Sequence, residues 1–178
     1  MARIADDLNS VVVTVTSPDG RIEGRVESLE YTSLKFLYDS YEQYYRHRDA
    51  EVLAHQLGRG ATLMGTAYQK ARREVMLAHG FERYSAARPP YSARHREYLE
   101  RGAELTARGS SPNDEIRVRT VALIDYEVRI ASDVLRHHNE QEFMMLANSA
   151  MKDLQENYKR THGELRHDLA LKYRDRER

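Results

Sequence analysis

The middle of the chain holds arginine and aromatic residues at close spacing, a mixture that is typical of nucleic-acid contact. The group comprises Arg83, Tyr84, Arg88, Tyr91, Arg94, His95 and Arg96. Cationic side chains neutralise phosphates, and aromatic rings stack on exposed bases. For any single arginine, the alternative is that it only keeps a linker soluble. Further basic candidates are Lys70, Arg72 and Arg73, followed by the mixed-charge tail from Lys159 to Arg178.

Histidine and carboxylate residues also occur at spacings that metal sites use. Glu164 and His167 form the Glu-x-x-His pattern of di-iron helical bundles, but such a bundle needs two of these motifs and two further glutamates. The other pairs at helical spacing are Glu51 with His55, and His137 or His138 with Glu142. Eight histidines make chance pairs common. A metal-binding bundle therefore stays an alternative, and no metal or other cofactor is predicted.

Motifs for covalent catalysis are absent from the sequence. There is no Gly-x-Ser-x-Gly elbow, and the segment GRGATLMG lacks the Gly-Lys-Ser/Thr ending of a phosphate-binding loop. The chain has no cysteine, which excludes thiolate nucleophiles, cysteine metal sites and disulfides. No catalytic residue is predicted, and we expect a protein that is not an enzyme.

Charge and hydropathy restrict the partners further. Twenty-eight Lys and Arg balance 28 Asp and Glu in 178 residues, so attraction to polyanions must come from local patches. No apolar run reaches the roughly 18 residues of a spanning helix, and the N-terminus lacks signal-peptide features. Together with the missing cysteine, this predicts a cytoplasmic protein with no membrane partner.

The N-terminal region carries the strand signals. Valine and threonine alternate through residues 11–16, Pro18, Asp19 and Gly20 form a turn, and the chain returns through Ile22 to Val26. The apolar alternation then slips by one residue near Glu27, which predicts a bulge and a third short strand. Because a small sheet is marginal alone, a helix must cover it.

Helical spacing dominates the rest of the chain. Asp49 is a capping residue for a helix from Ala50 to His79, whose glycines at 58, 60 and 65 indicate either close backbone packing or a kink. The tyrosine-rich segment before it, from Leu34 to Arg48, predicts an additional helix. After Gly80 to Arg94, interpreted as a linker, a short helix is expected to end at Gly109.

Ser111-Pro112-Asn113-Asp114 carries helix-start signals, and a long amphipathic helix is predicted beyond it. A strand over IRVRTVALI is the alternative. The apolar stripe of the long helix predicts a homo-oligomer interface. Its residues are Phe143, Ala147, Ala150, Leu154, Tyr158 and Leu165.

The predicted fold class is α+β: an N-terminal antiparallel hairpin or three-stranded sheet on a helix, followed by a mainly helical half. The predicted domains are 1–80 and 94–178, joined by a linker at 81–93. SPDGRIEGRVESLEYTS and SPNDEIRVRTVALIDYE share the order of turn, Ile and Arg-Val, and Tyr68 with Glu74 match Tyr158 with Glu164. The second half is therefore also interpreted as a diverged copy of the first.

The first half resembles the YbaB/EbfC family of nucleoid-associated proteins. The residues that carry the resemblance are Ser17-Pro18-Asp19-Gly20, then Leu29-Glu30-Tyr31-Thr32-Ser33, then Asp49-Ala50-Glu51-Val52-Leu53-Ala54 with Ala71-Arg72. The resemblance implies a small α+β protomer that dimerises through its sheet and helix and binds DNA with little sequence preference. The insert from Lys35 to Arg48 departs from the family pattern, and no residue roles are transferred.

The sequence thus predicts a sequence-tolerant DNA-binding protein of the nucleoid-associated type that acts as an oligomer. The rival function is a protein–protein adaptor, in which the stripe from Tyr38 to Tyr45 and the seam from Phe143 to Leu169 dock a partner, because aromatic residues are favoured in interface cores.

Overall fold

The computed structural model of the protein describes residues 2–28, 31–81 and 89–174, and it confirms the α+β fold class. The first half contains α1 (Ala2–Asn9), β1 (Val13–Thr16), β2 (Ile22–Ser28), β3 (Tyr31–Phe36), α2 (Ser40–Gln43), a 3-10 turn (Tyr45–His47) and α3 (Ala50–Ala78). The second half contains α4 (Ala93–Ala103), β4 (Thr106–Ser110), β5 (Ile116–Val121), β6 (Asp125–Ile130), α5 (Val134–His137) and α6 (Glu140–Tyr173). Among these helices none has the length and apolar character needed to cross a membrane.

The first sheet forms as its residue pattern predicts. Its antiparallel order is β1-β2-β3, and the register slips between Val26 and Ser28, where the bulge is predicted. Gly20 closes the hairpin turn at a φ of +72°, a left-handed conformation that suits glycine. The Ser17 hydroxyl accepts a hydrogen bond from the backbone N–H of Ile22 at 3.0 Å, which connects the turn to the returning strand.

The second half repeats this arrangement. Its sheet has the order β4-β5-β6, and in its first turn the Ser111 hydroxyl accepts the backbone N–H of Ile116, also at 3.0 Å. Asp114 occupies the position of Gly20 at a φ of +59°. In both halves a short helix precedes β1 or β4, and a short and then a long helix follow the sheet. The interpretation of the second half as a diverged copy therefore agrees with the topology.

The helix start predicted at Ser111 is wrong. Ser-Pro followed by Asn and Asp suits the first residues of a helix, but the same residues also suit a β-turn. The alternation of Ile116, Val118 and Thr120 decides for the turn, because all three side chains are buried on one face of β5. The helix expected to end at Gly109 likewise ends at Ala103, and Gly109 lies in β4.

Gly58 and Gly65 allow close packing of α3, and the helix is continuous. Its N-cap forms as predicted, with the Asp49 carboxylate accepting the backbone N–H of Glu51 at 3.0 Å. A Cβ atom added at Gly58 would lie 3.1 Å from the carbonyl oxygen of Tyr126, and one at Gly65 would collide with the carbonyl oxygen of Leu123. The first unit's long helix therefore presses against β6 of the second unit.

The largest hydrophobic cluster contains residues of both predicted units, 1–80 and 94–178. One cluster joins Ile22, Phe36 and Leu53 of the first half to Ile116 and Phe143 of the second. Part of the predicted linker, residues 82–88, lies outside the described residues.

The stripe predicted as a homo-oligomer interface is buried inside the chain. Phe143, Ala150 and Leu154 are fully buried, Leu165 is 4% exposed, and Ala147 is 8% exposed, while Tyr158 is half-buried. Gly109 explains why: a Cβ at that position would collide with the backbone of α6 at Ala150 and Leu154. The helix thus lies directly on β4 of its own unit, and periodicity alone could not distinguish this surface from a partner subunit.

The tyrosine-rich segment is also core and not a docking surface. Tyr41 and Tyr45 are fully buried, and the rings of Phe36, Tyr41 and Phe143 contact one another at centroid distances between 5.1 and 5.9 Å. The expected single helix here is divided into the end of β3, α2 and the 3-10 turn. Of the tyrosines in the stripe from Tyr38 to Tyr45, Tyr38 is strongly exposed, at 83%.

Candidate functional site

The outer face of the second sheet is rich in arginine. Arg108 lies on β4, Arg117 and Arg119 on β5, and Arg129 on β6, and all four side chains are exposed. They share one face because successive side chains of a strand alternate, and Ala107, Ile116 and Val118 occupy the opposite, buried face. We call these four residues the arginine face.

Like charges stand directly opposite each other on this face. Arg108 pairs in register with Arg119, and Arg117 pairs with Arg129. Directly opposed like charges destabilise a sheet. Glu127 offsets Arg129 at 2.7 Å and Asp114 offsets Arg117 at 3.2 Å, whereas within the described ranges no ion pair forms at Arg108 or Arg119. Glu127 also stands opposite Arg119 in the strand register, and Asp114, Glu127 and Asp153 line the same surface, so the face as a whole is only weakly positive.

The corresponding face of the first sheet carries fewer cationic residues. Counting from the matched turns, Arg108 corresponds to Thr14 and Arg117 to Glu23, while Arg119 and Arg129 correspond to Arg25 and Lys35. Arg25 also forms an ion pair with Glu27 at 2.8 Å. Since both sheets have the same topology, the accumulation of arginine is a property of the second unit and not of the fold.

A shallow groove of about 430 Å³ crosses the arginine face. Its edge is built by α6, whose Asp153 carboxylate accepts the backbone N–H of Ser110 at 2.9 Å. The Asn157 side-chain oxygen accepts the backbone N–H of Arg108 at 3.2 Å. These bonds use the free edge of β4 and hold it in place, so the arginines project from a fixed strand.

The predicted basic residues that the structure describes lie on α3 and at or just before the start of α4. Arg83, Tyr84 and Arg88 lie outside the described residues. Tyr91 is 72% exposed and stacks on His95 at a centroid distance of 4.2 Å, beside Arg94 and Arg96 at the start of α4. Lys70 is exposed on α3, whereas Arg72 and Arg73 border a second groove.

This second groove, of about 680 Å³, lies between the two units, and we call it the interunit groove. It is lined by Leu8, Val26, Thr32, Met64, Gly65, Tyr68, Gln69, Arg72, Arg73, Met76, Tyr98, Leu123, Tyr126, Met151, Gln155, Tyr158, Lys159 and His162. Its walls thus come from both long helices, from the first sheet and from the β5–β6 turn.

Tyrosines and His162 form an ordered aromatic wall in the interunit groove. The Tyr98 hydroxyl and Nε2 of His162 are 2.9 Å apart, and the Tyr158 ring stacks on His162 at a centroid distance of 5.7 Å. Burial, followed by the nearby charge of Arg166, lowers the pKa of His162. Burial raises the pKa of Tyr126 to about 12. Both shifts favour the uncharged form of the side chain concerned.

Metal-ligating side chains do not converge. Glu164 and His167 are both exposed on α6, as are Glu51 and His55 on α3. His138 contacts Glu115 at 3.2 Å as a polar pair beside the start of α6. Across the parts of the chain that are described, no group of three or more potential ligands is close enough to hold a metal ion.

The arginine face was missed at the sequence level although its signal was present. The alternation of Ile116, Val118 and Thr120 places Arg117 and Arg119 together on the other face of the strand. A helix start in this region, as predicted, would not place Arg117 and Arg119 on the same face of a strand. Arg108 and Arg129 could be added only once the strand register was known.

Comparison with known proteins finds no family model, no curated protein and no solved structure that matches this chain.

Proposed function

We propose that this chain is a non-enzymatic, cytoplasmic protein that binds the phosphate backbone of duplex DNA with little sequence preference, in the manner of a nucleoid-associated protein. The single observation that carries the proposal is the arginine face, with two arginine pairs held in cross-strand register. Retaining opposed cations has an electrostatic cost, and neutralisation by phosphates relieves it.

The geometry supports backbone contact more than base reading. Strands lie roughly 4.8 Å apart and alternate residues roughly 6.6 Å apart, so the four guanidinium groups form a compact patch on a pleated surface. Phosphate contacts position a protein without reading sequence. Arginine suits this role because its planar guanidinium matches the phosphate geometry.

The resemblance of the first half to the YbaB/EbfC family supports the same function. That resemblance implies protomers that associate through sheet and helix. Here α3 of the first unit lies on β6 of the second, so one chain brings two sheet-and-helix units together. We infer that the two units take the place of two protomers, with the arginine face as the binding surface.

The test is salt-titrated binding of the full chain to a random-sequence fluorescent duplex, measured by anisotropy. We expect affinity to fall as salt rises. The double variant Arg108→Gln/Arg119→Gln should reduce the slope of log K against log salt by about 1 for each phosphate that the protein no longer neutralises. Arg25→Gln/Lys35→Gln, at equivalent positions of the first sheet, is the matched control and should have little effect.

Three results would contradict the proposal. They are undetectable binding at about 50 mM salt, affinity that does not weaken as salt rises, and equal weakening of binding in the two double variants. A separate Arg83→Gln/Arg88→Gln variant measures the contribution of the central basic segment that the sequence predicts.

A further inference from the structure

The interunit groove exists because the two units pack unequally. In the first unit, α3 approaches the β5–β6 turn of the second unit so closely that only glycine fits at position 65. The equivalent approach would place α6 on β3, where the rings of Phe143 and Phe36 are in contact at a centroid distance of 5.9 Å. Beyond that contact, Val26 and Thr32 of the first sheet border open space.

The interior of the groove is apolar and aromatic. Val26, Met64, Tyr68 and Leu123 are buried at its floor, with exposed fractions between 4% and 8%. Three methionines and four tyrosines line it in total. Methionine sulfur and tyrosine rings both contact aromatic rings favourably, so this lining suits a planar ring better than a saturated chain.

Cations border the opening of the groove. Arg73 and Lys159 are exposed and lie on opposite long helices, and Arg72 is half-buried with its guanidinium 5.7 Å from the centre of the Tyr68 ring. None of the described residues that line the groove is acidic. The local charge is therefore positive although the net charge of the whole chain is zero.

We propose that the interunit groove binds a planar aromatic anion, whose ring enters between the tyrosine and methionine side chains while its carboxylate or similar group meets Arg72 and Arg73. The groove volume of about 680 Å³ falls within the range of small-molecule sites, which is roughly 300–1,000 Å³. This site is separate from the arginine face, so it stands whether or not the chain binds DNA.

The experiment uses 2-naphthoate as the probe and the full chain labelled with ¹³C at the methionine methyl groups. Titration should shift the NMR signals of Met64, Met76 and Met151, which line the groove. Met144 and Met145 lie on α6 outside it and should not shift. They are internal controls on the same protein sample.

Calorimetry then tests charge and shape. Arg72→Gln/Arg73→Gln should weaken 2-naphthoate binding about fivefold or more. Lys70→Gln lies on the same helix outside the groove and should have no effect, and Arg108→Gln/Arg119→Gln should also bind the probe normally. Naphthalene-2-methanol, which has the ring without the charge, and decanoate, which has the charge without the ring, should both bind more weakly.

The proposal is overturned if 2-naphthoate does not bind at millimolar concentration, if Met144 and Met145 shift as much as the groove methionines, or if the neutral alcohol or decanoate binds as well as the probe. Loss of probe binding in the Arg108→Gln/Arg119→Gln variant would place the probe on the arginine face and overturn it too. Failure of DNA binding alone would leave these outcomes unchanged.

Discussion

Arg108 and Arg119 stand opposite each other on adjacent strands of the second sheet, without an ion pair to either one among the described residues. Holding these two positive charges side by side costs electrostatic free energy in the folded protein. Removing one of the charges should therefore favour folding and disfavour the proposed DNA binding.

Replacing Arg108 by Glu should therefore stabilise the fold while weakening DNA binding. We expect the free energy of unfolding to rise by about 0.5 kcal/mol at low salt, because a like-charge pair becomes an opposite-charge pair, and the gain to shrink as salt screens it. Urea unfolding at two salt concentrations measures this. Arg136→Glu makes the same charge change at an exposed position of α5 and should not stabilise; a loss of stability in Arg108→Glu would refute the expectation.

The helix glycines should differ sharply in their tolerance of alanine. At Gly65 the added Cβ meets the Leu123 carbonyl oxygen of the β5–β6 turn, so Gly65→Ala should destabilise by about 2 kcal/mol or more. At Gly60 the nearest atoms are 4.0 Å away, and Gly60→Ala should stabilise by up to about 1 kcal/mol through helix propensity. Thermal unfolding of both variants is the measurement, and similar effects at the two sites would contradict the packing of α3 on β6.

Burial of Phe143 predicts a stability effect and not a change of assembly. Phe143→Ala should lower the free energy of unfolding by about 3–5 kcal/mol, because the ring lies fully inside the core cluster. Leu171→Ala, on the same helix but 53% exposed, should change it little. Light scattering should give a mass near 20.7 kDa for the unmodified chain; a dimer that Phe143→Ala dissociates without loss of stability would restore the predicted interface.

Low pH should destabilise the first hairpin turn through protonation of Asp19. Burial disfavours the charged carboxylate of Asp19, but hydrogen bonds from the hydroxyls of Tyr45 and Ser17 and from the backbone N–H of Arg21 outweigh it and lower the pKa of Asp19 below its usual 3.8. A lowered folded-state pKa contributes stability above the unfolded value, and this stability is lost as pH falls through the folded value.

Asp19→Asn tests this pH dependence, since the matched turn of the second unit already carries Asn113 at the corresponding position. The variant should be less stable at neutral pH and should lose less stability than the unmodified chain as pH drops below about 4. Denaturant unfolding from pH 7 to pH 2 measures both curves. Parallel curves would show that Asp19 does not contribute to acid sensitivity.

Local chemistry predicted the first unit well, and tertiary packing decided the rest. The turn at Gly20, the bulge after Val26 and the cap at Asp49 all follow from rules that act over a few residues, and each is confirmed. Ser111 shows the limit of such rules, because helix starts and tight turns use the same residue types. Here the alternation of Ile116 and Val118, both buried on one face of β5, separates the two.

Candidate sites were harder to predict because they depend on register and on contacts between distant segments. The pairing of Arg108 with Arg119 requires two strands to be aligned, and the interunit groove joins Arg72 to Tyr158 across the chain. The stripe from Phe143 to Leu165 had the right period, but period does not identify the surface that covers a helix. The covering surface is β4, where the absence of a side chain at Gly109 lets the backbone of α6 pack closely. The sequence does not show which helix packs against this glycine.

Because both units belong to a single polypeptide, their surfaces can differ, whereas the subunits of a symmetric homodimer have identical surfaces. Identical subunits must display every surface twice, whereas here one sheet carries opposed arginines and its counterpart carries Thr14 and Glu23. Among the described residues, the opposed arginines thus occur on one sheet of each molecule. If the arginine face binds DNA as proposed, one molecule would use it to cover a single stretch of duplex.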